Sequence, residues 1–200
     1  MTPPLILASS SAYKRMLLER LQLSFHCQPP ETDEEQTAGE SPEAMAQRLA
    51  EEKAMTVVKK NPNALVIGAD QVGELKGQIV GKPGNFAQAV DQLSAQSGQS
   101  VKFHSAICVV QMSENGQITK KTRLNTTEVR FRVLSQQQIE RYLHADRPYD
   151  CAGSFKSEGL GISLFSHIKS NDPSSLVGLP LIDLCSLLSE YGVKIPNLNN

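Results

Sequence analysis

The chain has 200 residues, enough for one domain with a sizeable core and short for two. Its 20 Lys and Arg against 21 Asp and Glu leave a formal net charge of −1, and it has no Trp, which excludes a general attraction for nucleic-acid polymers and a stacking platform for single strands. No apolar run reaches membrane-spanning length and no signal-peptide pattern opens the chain, while Cys27, Cys108, Cys151 and Cys185 are widely spaced; a cytoplasmic protein with reduced thiols and no membrane partner is expected.

In chain order, Leu5-Ile6-Leu7-Ala8 is an apolar strand candidate. It runs into Ser9-Ser10-Ser11-Ala12-Tyr13-Lys14-Arg15 and a helical pattern with Met16, Leu17, Leu18 and Leu21 as apolar positions. A serine-rich turn between strand and helix is a natural anion site. Free N–H groups and the positive helix end face it, Ser9 and its neighbours add hydroxyls, and Lys14 and Arg15 add charge. Ser11 also reads as a plain helix cap. A strand is expected over Ser24–Gln28, followed by an acidic cluster of Glu31, Asp33, Glu34 and Glu35. That cluster reads either as a solvated loop or as a source of one cation-binding carboxylate, Glu34 first among them.

Ser41-Pro42-Glu43 supplies a cap, a proline at the first helical position and an acid in the first turn. The helix it opens runs to about Lys60, with Met45, Leu49, Ala50, Ala54 and Val57 as its buried stripe and Lys53 at the stripe's edge. Strands are predicted over Ala64–Asp70, Gln78–Val80, Val101–Gln111, Ile118–Leu124 and Glu128–Val133. Asn85 caps a short helix with Phe86, Ala89, Val90 and Leu93 inward, and Ser113–Gly116 reads as a hairpin turn. Ser135-x-x-Gln138 is a capping box before Ile139, Tyr142 and Leu143; Val177–Pro180 is a turn, and Ile182–Tyr191 the last helix. Parallel βα units followed by a hairpin imply an α/β fold: one domain over residues 1–195, a mixed twisted sheet flanked by helices, and a frayed tail over 196–200.

Leu65 to Val72, LVIGADQV, ends an apolar run on Gly-Ala-Asp. That places Asp70 at the C-terminal end of a strand, where open α/β sheets build their sites. Gly81-Lys82-Pro83 then presents a lysine in a rigid turn. An acid beside a lysine suits phosphate chemistry: the acid holds a metal or activates water, and the cation takes up phosphate charge. The Gly-Lys pair is no P-loop, since Lys76 stands where glycine is required and Pro83 replaces the Ser or Thr. Asp70 and Glu34 as hard oxygen ligands would select Mg²⁺ or Mn²⁺. Cys151–Gly159 is a glycine-punctuated loop carrying Glu158, with small residues that permit close approach to a ligand. No histidines have metal-ligand spacing, and no G-x-S-x-G is present.

Taken in order, L-I-L-A-S-S-S-x-x-K-R, T-D-E, E-K-A, G-A-D-Q-V, G-K-P and V-G-L-P resemble the Maf family of nucleotide pyrophosphatases over about Leu5 to Tyr191. The resemblance implies a nucleotide-binding cleft in a single α/β domain, a homodimer, and metal-dependent cleavage of nucleoside triphosphates between the α and β phosphates. It makes Asp70 the catalytic acid, Arg15, Lys53 and Lys82 phosphate-facing cations, and Glu34 a cleft acid, beside the substrate contact that the serine turn already gives Ser9. Where the family often has Pro-Arg-Arg, this chain has Tyr13-Lys14-Arg15. Both charges are kept and one bidentate fork is lost, so Arg15 is favoured over Lys14.

Tyr13, Gln71 and the CAGSFKSEG loop with Glu158 resemble the branch of the family that acts on 7-methyl-GTP; the thymidine- and uridine-type branch has Asp-Thr at Asp70-Gln71 and a Gln at Glu158. A 7-methylguanine base is cationic, and a stacked Tyr13 would contribute about 0.5–2 kcal/mol. Glu158 would accept from the guanine N1–H and 2-amino group, whereas a pyrimidine would set acceptor against acceptor. The expectation is a 7-methyl-GTP pyrophosphatase that takes a small-molecule nucleotide and removes modified nucleotides from the pool. The alternatives are a dTTP/UTP pyrophosphatase, a non-catalytic nucleotide-binding regulator of cell division, and a module binding a 7-methylguanosine cap.

Overall fold

The alternation of apolar runs and capped helices resolves into one seven-stranded sheet with helices on both faces. The computed structural model describes residues 3–196, so the expected tail lies, beyond Pro196, outside the described residues. The strands are β1 (Leu5–Ala8), β2 (Phe25–Cys27), β3 (Leu65–Leu75), β4 (Gln78–Val80), β5 (Ser100–Met112), β6 (Ile118–Phe131) and β7 (Phe165–Lys169). The helices are α1 (Ala12–Glu19), α2 (Pro42–Lys60), α3 (Phe86–Gln96), α4 (Gln136–Asp146) and α5 (Leu181–Glu190). The sheet order is β2-β1-β3-β5-β6-β7, with β4 folded back on β3. β1 runs parallel to β2 and β3; the remaining pairings are antiparallel, giving the expected mixed sheet.

Side chains alternate across the sheet and sort into separate cores. Ile6, Ala8, Val66, Ala106 and Cys108 pack under α2 against Met45, Leu49, Ala50, Ala54 and Val57, the stripe read from the sequence. The opposite parity, Leu5, Leu7, Leu65, Ile67, Ile107 and Val109, packs on α1 and α5. Further along that face, Val101 and Phe103 meet α3 and α4. The caps form as expected: Ser41 accepts from the Ala44 N–H at 3.2 Å, Asn85 from the Gln88 N–H at 3.0 Å, and the Ser135–Gln138 capping box closes in both directions.

Three local expectations differ from the structure. The two strands expected over 118–124 and 128–133 are one strand, β6, because the polar stretch between them is paired in register with β5 throughout. Of its buried polar residues, Thr127 Oγ1 lies 2.8 Å from Ser170 Oγ and the Asn125 amide nitrogen donates to Asp183 at 3.3 Å, while the Asn125 amide oxygen has no partner among the described residues. β7 was not expected at all. β3 does not end at Asp70 but continues to Leu75 and turns into β4.

That extension creates the site. On one edge of β3, β1 covers Leu65–Gly68 and β4 covers Gly73–Leu75, so Ala69–Val72 have no strand neighbour there. Across the other edge, β5 pairs with Leu65–Glu74 without a break. The result is a rigid strand with a gap beside it.

Candidate active site

The gap opens into a cleft of about 680 Å³. Its walls include Ser9 at the end of β1, Asp70 and Gln71 on β3, and Lys82 after β4. Tyr13 and Lys14, neighbours in the first turn of α1, reach two different environments within it. Lys14 lies among Asp70, Lys53, Lys82 and Glu34; Tyr13 lies near Cys151, Asp150 and Glu158. One end is polyionic, and the other offers an aromatic ring with acids.

At the polyionic end, Lys53 Nζ is 2.6 Å from Asp70 Oδ1 and 2.5 Å from Glu34 Oε1. This approach depends on Gly68. A Cβ there would lie 2.1 Å from the Ala50 carbonyl oxygen and 2.7 Å from the Ala54 nitrogen, so only glycine lets α2 settle onto β3 and bring Lys53 over Asp70. Burial alone would lower the Lys53 pKa, but Asp70 and then Glu34 outweigh it and hold the ammonium above its ordinary range. Burial likewise opposes the charge on Glu34, while the Lys53 hydrogen bond and the charges of Lys53, Lys82 and Lys14 keep its carboxyl below the usual range. Lys14 is shifted down, first by desolvation and then by its lysine neighbours against the pull of Asp70.

Asp70 commits one oxygen to Lys53, and no hydrogen bond occupies its other oxygen among the described residues. The donor set beside it is carboxylate oxygen, which fits a hard divalent cation; the Cys151 thiol is pushed up to about 12 by burial and by Asp150, so it stays protonated at neutral pH. A separate group, Glu43, Glu74 and His104, brings three possible ligand atoms within 4.8 Å of one another but does not line the cleft. It is already internally bonded: His104 Nε2 lies 2.7 Å from Glu74 Oε2, and His104 Nδ1 3.0 Å from Thr126 Oγ1. It ties the first turn of α2 to β3 and β5.

Toward the other end, Gln71 is fixed by its amide nitrogen. That nitrogen donates toward the Ser105 hydroxyl at 2.9 Å and the Ser175 and Leu176 carbonyls at 3.0 and 3.1 Å. Carbonyl oxygens only accept, so the amide orientation is determined, and no hydrogen bond among the described residues uses its oxygen. The Ser175–Val177 turn ends at Gly178 with φ +113°, a left-handed geometry beside the Lys14 side chain. Asp172 holds this turn to the start of α5, accepting from the Ser174 N–H at 2.9 Å and the Ile182 N–H at 2.7 Å. Tyr13 keeps its proton, burial raising its pKa first and Cys151 second. Glu158 is exposed on the cleft rim.

Of the residues named from the sequence, Ser9, Tyr13, Glu34, Lys53, Asp70, Gln71, Lys82 and Glu158 line this cleft. Arg15 does not: its side chain is 65% exposed and pairs with Glu19 at 2.9 Å along α1. Lys14 occupies the cleft in its place. The choice between the two rested on guanidinium geometry, whereas helical phase decides it, since adjacent residues on a helix point about 100° apart. Asp150 and Asp172 were also missed; neither carries a sequence signal beyond a polar loop.

A family model described as Maf-like protein matches residues 4–191. The chain belongs to the Maf family. A curated relative from Xanthomonas oryzae pv. oryzae (strain KACC10331 / KXO85), named 7-methyl-GTP pyrophosphatase, is 54% identical over 196 residues, covering 98% of this chain and 100% of its own. A relative of the same name from Colwellia psychrerythraea is 47% identical over 191 residues, 96% of this chain and 94% of its own. Among solved structures, the Staphylococcus aureus Ham1 protein aligns over 95% of this chain and 100% of its own at 14% identity and a TM-score of 0.47. Within this Maf domain, the six motifs that carried the resemblance fall on β1–α1, the loop before α2, α2 itself, β3, the turn after β4 and the turn before α5. No helix among the described residues is long and apolar enough to cross a membrane.

Proposed function

We infer that this Maf protein is a nucleoside-triphosphate pyrophosphatase that hydrolyses 7-methyl-GTP to 7-methyl-GMP and pyrophosphate. The observation that carries the reading is the two-ended cleft: a Lys53–Asp70–Glu34 cluster at one end and Tyr13, Gln71 and Glu158 toward the other. Relatives about half identical over nearly their whole length bear the name of that activity, which supports the choice of base.

In this mechanism the water oxygen forms a bond to the α-phosphorus as the bond to the bridging oxygen breaks, and that electron pair leaves with pyrophosphate. The free oxygen of Asp70 takes the proton of the attacking water, while Lys53 fixes the carboxylate's orientation. Lys53, Lys82 and Lys14 neutralise the triphosphate and the departing pyrophosphate, with Lys14 filling the place first given to Arg15, and the Ser9 region supplies donors. Asp70 and Glu34 are the residues that would hold Mg²⁺ or Mn²⁺, which when bound supplies further charge stabilisation. Tyr13 stacks on the cationic base, the Gln71 carbonyl oxygen and Glu158 accept from its N–H groups, and Glu158 also offsets its charge. Residues 1–195 act as one catalytic unit, in the cytoplasm and as a homodimer.

The test is pyrophosphate release with Mg²⁺ or Mn²⁺ from 7-methyl-GTP, GTP, dTTP, UTP and CTP, with Asp70→Asn alongside. Preference for 7-methyl-GTP and a loss of about 10³-fold or more in the variant, with an unchanged circular-dichroism spectrum, is the expected result. Preference for dTTP or UTP would keep the mechanism and overturn the base assignment. Near-normal turnover of Asp70→Asn would remove it as the base.

A further inference from the structure

The loop that delivers Glu34 to Lys53 has no secondary structure of its own. It joins β2, ending at Cys27, to α2, beginning at Pro42, and residues 33–39 are all exposed. Such a segment gains little from burial and has to be ordered by specific bonds. Lys60, on α2, donates to Glu31 at 2.9 Å at the start of the loop, and Arg48, on the same helix, supplies the bonds to residues 35–40. Its Nε and Nη2 donate to the two carboxylate oxygens of Glu40 at 2.7 and 2.8 Å, a bidentate fork. The same Nη2 donates to the Glu35 carbonyl at 3.0 Å, next to Glu34 in sequence, and Nη1 donates to Glu52 at 3.1 Å. Within the loop, Gln36 donates to the Glu40 carbonyl at 2.9 Å, and the Thr37 N–H donates to the Glu40 carboxylate at 3.2 Å.

The fastening is therefore two-stage. Glu40 gathers residues 36–40 into a closed turn, and Arg48 fixes both Glu40 and the Glu35 backbone to the helix that also carries Lys53. The Glu40 side chain is 10% exposed and that of Arg48 26%, so the fork is partly shielded from water and salt. We propose that Arg48 is a positioning residue, a clamp that holds the 31–40 loop on α2 so that Glu34 meets Lys53 and the polyionic end of the cleft is preorganised. Arg48 lies outside the cleft wall and acts through Glu34 rather than on substrate. Lysine in its place would keep the charge and lose the fork.

The kinetic part of the test rests on the pyrophosphatase reading; the structural part does not. Hydrogen exchange of the hydrogen-bonded loop amides, those of Glu35, Thr37 and Glu40, should become fast in Arg48→Ala and Arg48→Lys, and in Glu40→Gln to a smaller degree, with the global fold retained by circular dichroism. On the nucleotide that wild type cleaves best, kcat/KM should fall about 10-fold or more in Arg48→Ala, the scale seen when support for a site residue is lost. The loss should nearly vanish when Arg48→Ala is added to Glu34→Gln, because both act through one group. Unchanged loop exchange in Arg48→Ala would overturn the clamp, and a full additive loss in the double variant would overturn its action through Glu34. If wild type released no pyrophosphate, the enzymatic reading would fall, while the exchange measurement would still decide the clamp.

Discussion

Lys53 shared by two carboxylates makes both ends of the pH scale informative. Its ammonium is held above the ordinary 10.5, so the stabilisation it provides is complete below that value and fades as pH rises through the higher folded pKa. The Glu34 carboxyl is held below the ordinary 4.5, so its stabilisation is present above that value and is lost as pH falls through the lower folded pKa. Replacing Lys53 by methionine removes the partner of both acids and should cost about 2–4 kcal/mol near neutral pH, read by denaturant unfolding. The deficit should shrink toward either extreme; a deficit flat in pH would point to lost packing instead. At the rim, Glu158→Gln should lower kcat/KM for 7-methyl-GTP by about 10-fold or more relative to UTP, measured side by side, because a charged acceptor facing a cationic base becomes a neutral amide. Equal efficiency on 7-methyl-GTP would remove Glu158 from base recognition.

Among the elements, the contact of α2 with β3 sets Lys53 over Asp70, and Gly68 governs the contact. Gly68→Ala would press a methyl group into the backbone of α2, which no rotamer change relieves, and should cost about 3 kcal/mol together with most of the turnover. Thermal unfolding and pyrophosphate release on the same preparation check both halves. A stable variant with reduced turnover would show that α2 shifted without unfolding; a stable and active one would refute the close approach. Asp172, 1% exposed, stands in for the side-chain cap that Pro180 cannot give α5, and Asp172→Ala should cost about 2–3 kcal/mol in chemical denaturation by leaving buried donors unmade.

These elements also show what the chain discloses before it folds. The stripe of α2, the capped helix starts and the β5–β6 hairpin were legible because period, caps and Asn-Gly turn chemistry are local properties. β7 was not, since Phe165-Ser-His-Ile-Lys buries only its first residue and owes its strand form to pairing with β6. Asp70 and Lys82 could be singled out from local context, whereas Lys53 stood out only through the family resemblance. Choosing Lys14 over Arg15 needed the phase of α1 against the cleft, and Arg48 carries no local signal in the sequence, since its partners lie across the loop.

At the scale of the whole molecule, the site is one gap on a sheet whose two ends come from distant parts of the chain. Glu34, Lys53, Asp70 and Lys82 belong to the first half; Cys151, Glu158 and the 175–177 turn belong to the last quarter. If the homodimer holds, sedimentation across a range of concentrations should give one species of twice the 21.9 kDa chain mass, and a monomer throughout would exclude it. The two bonds from Gln71 to the Ser175 and Leu176 carbonyls bridge 104 and 105 residues of sequence. On the ribosome, where synthesis proceeds from the N-terminus, β3 and its acid therefore emerge well before the backbone that anchors Gln71 exists. The nascent chain passes through a long stage in which it carries Lys53 and Asp70 without the turn that fixes Gln71. Closure across so many residues waits for the last quarter of the chain, so the two ends of the cleft come together only near the end of translation.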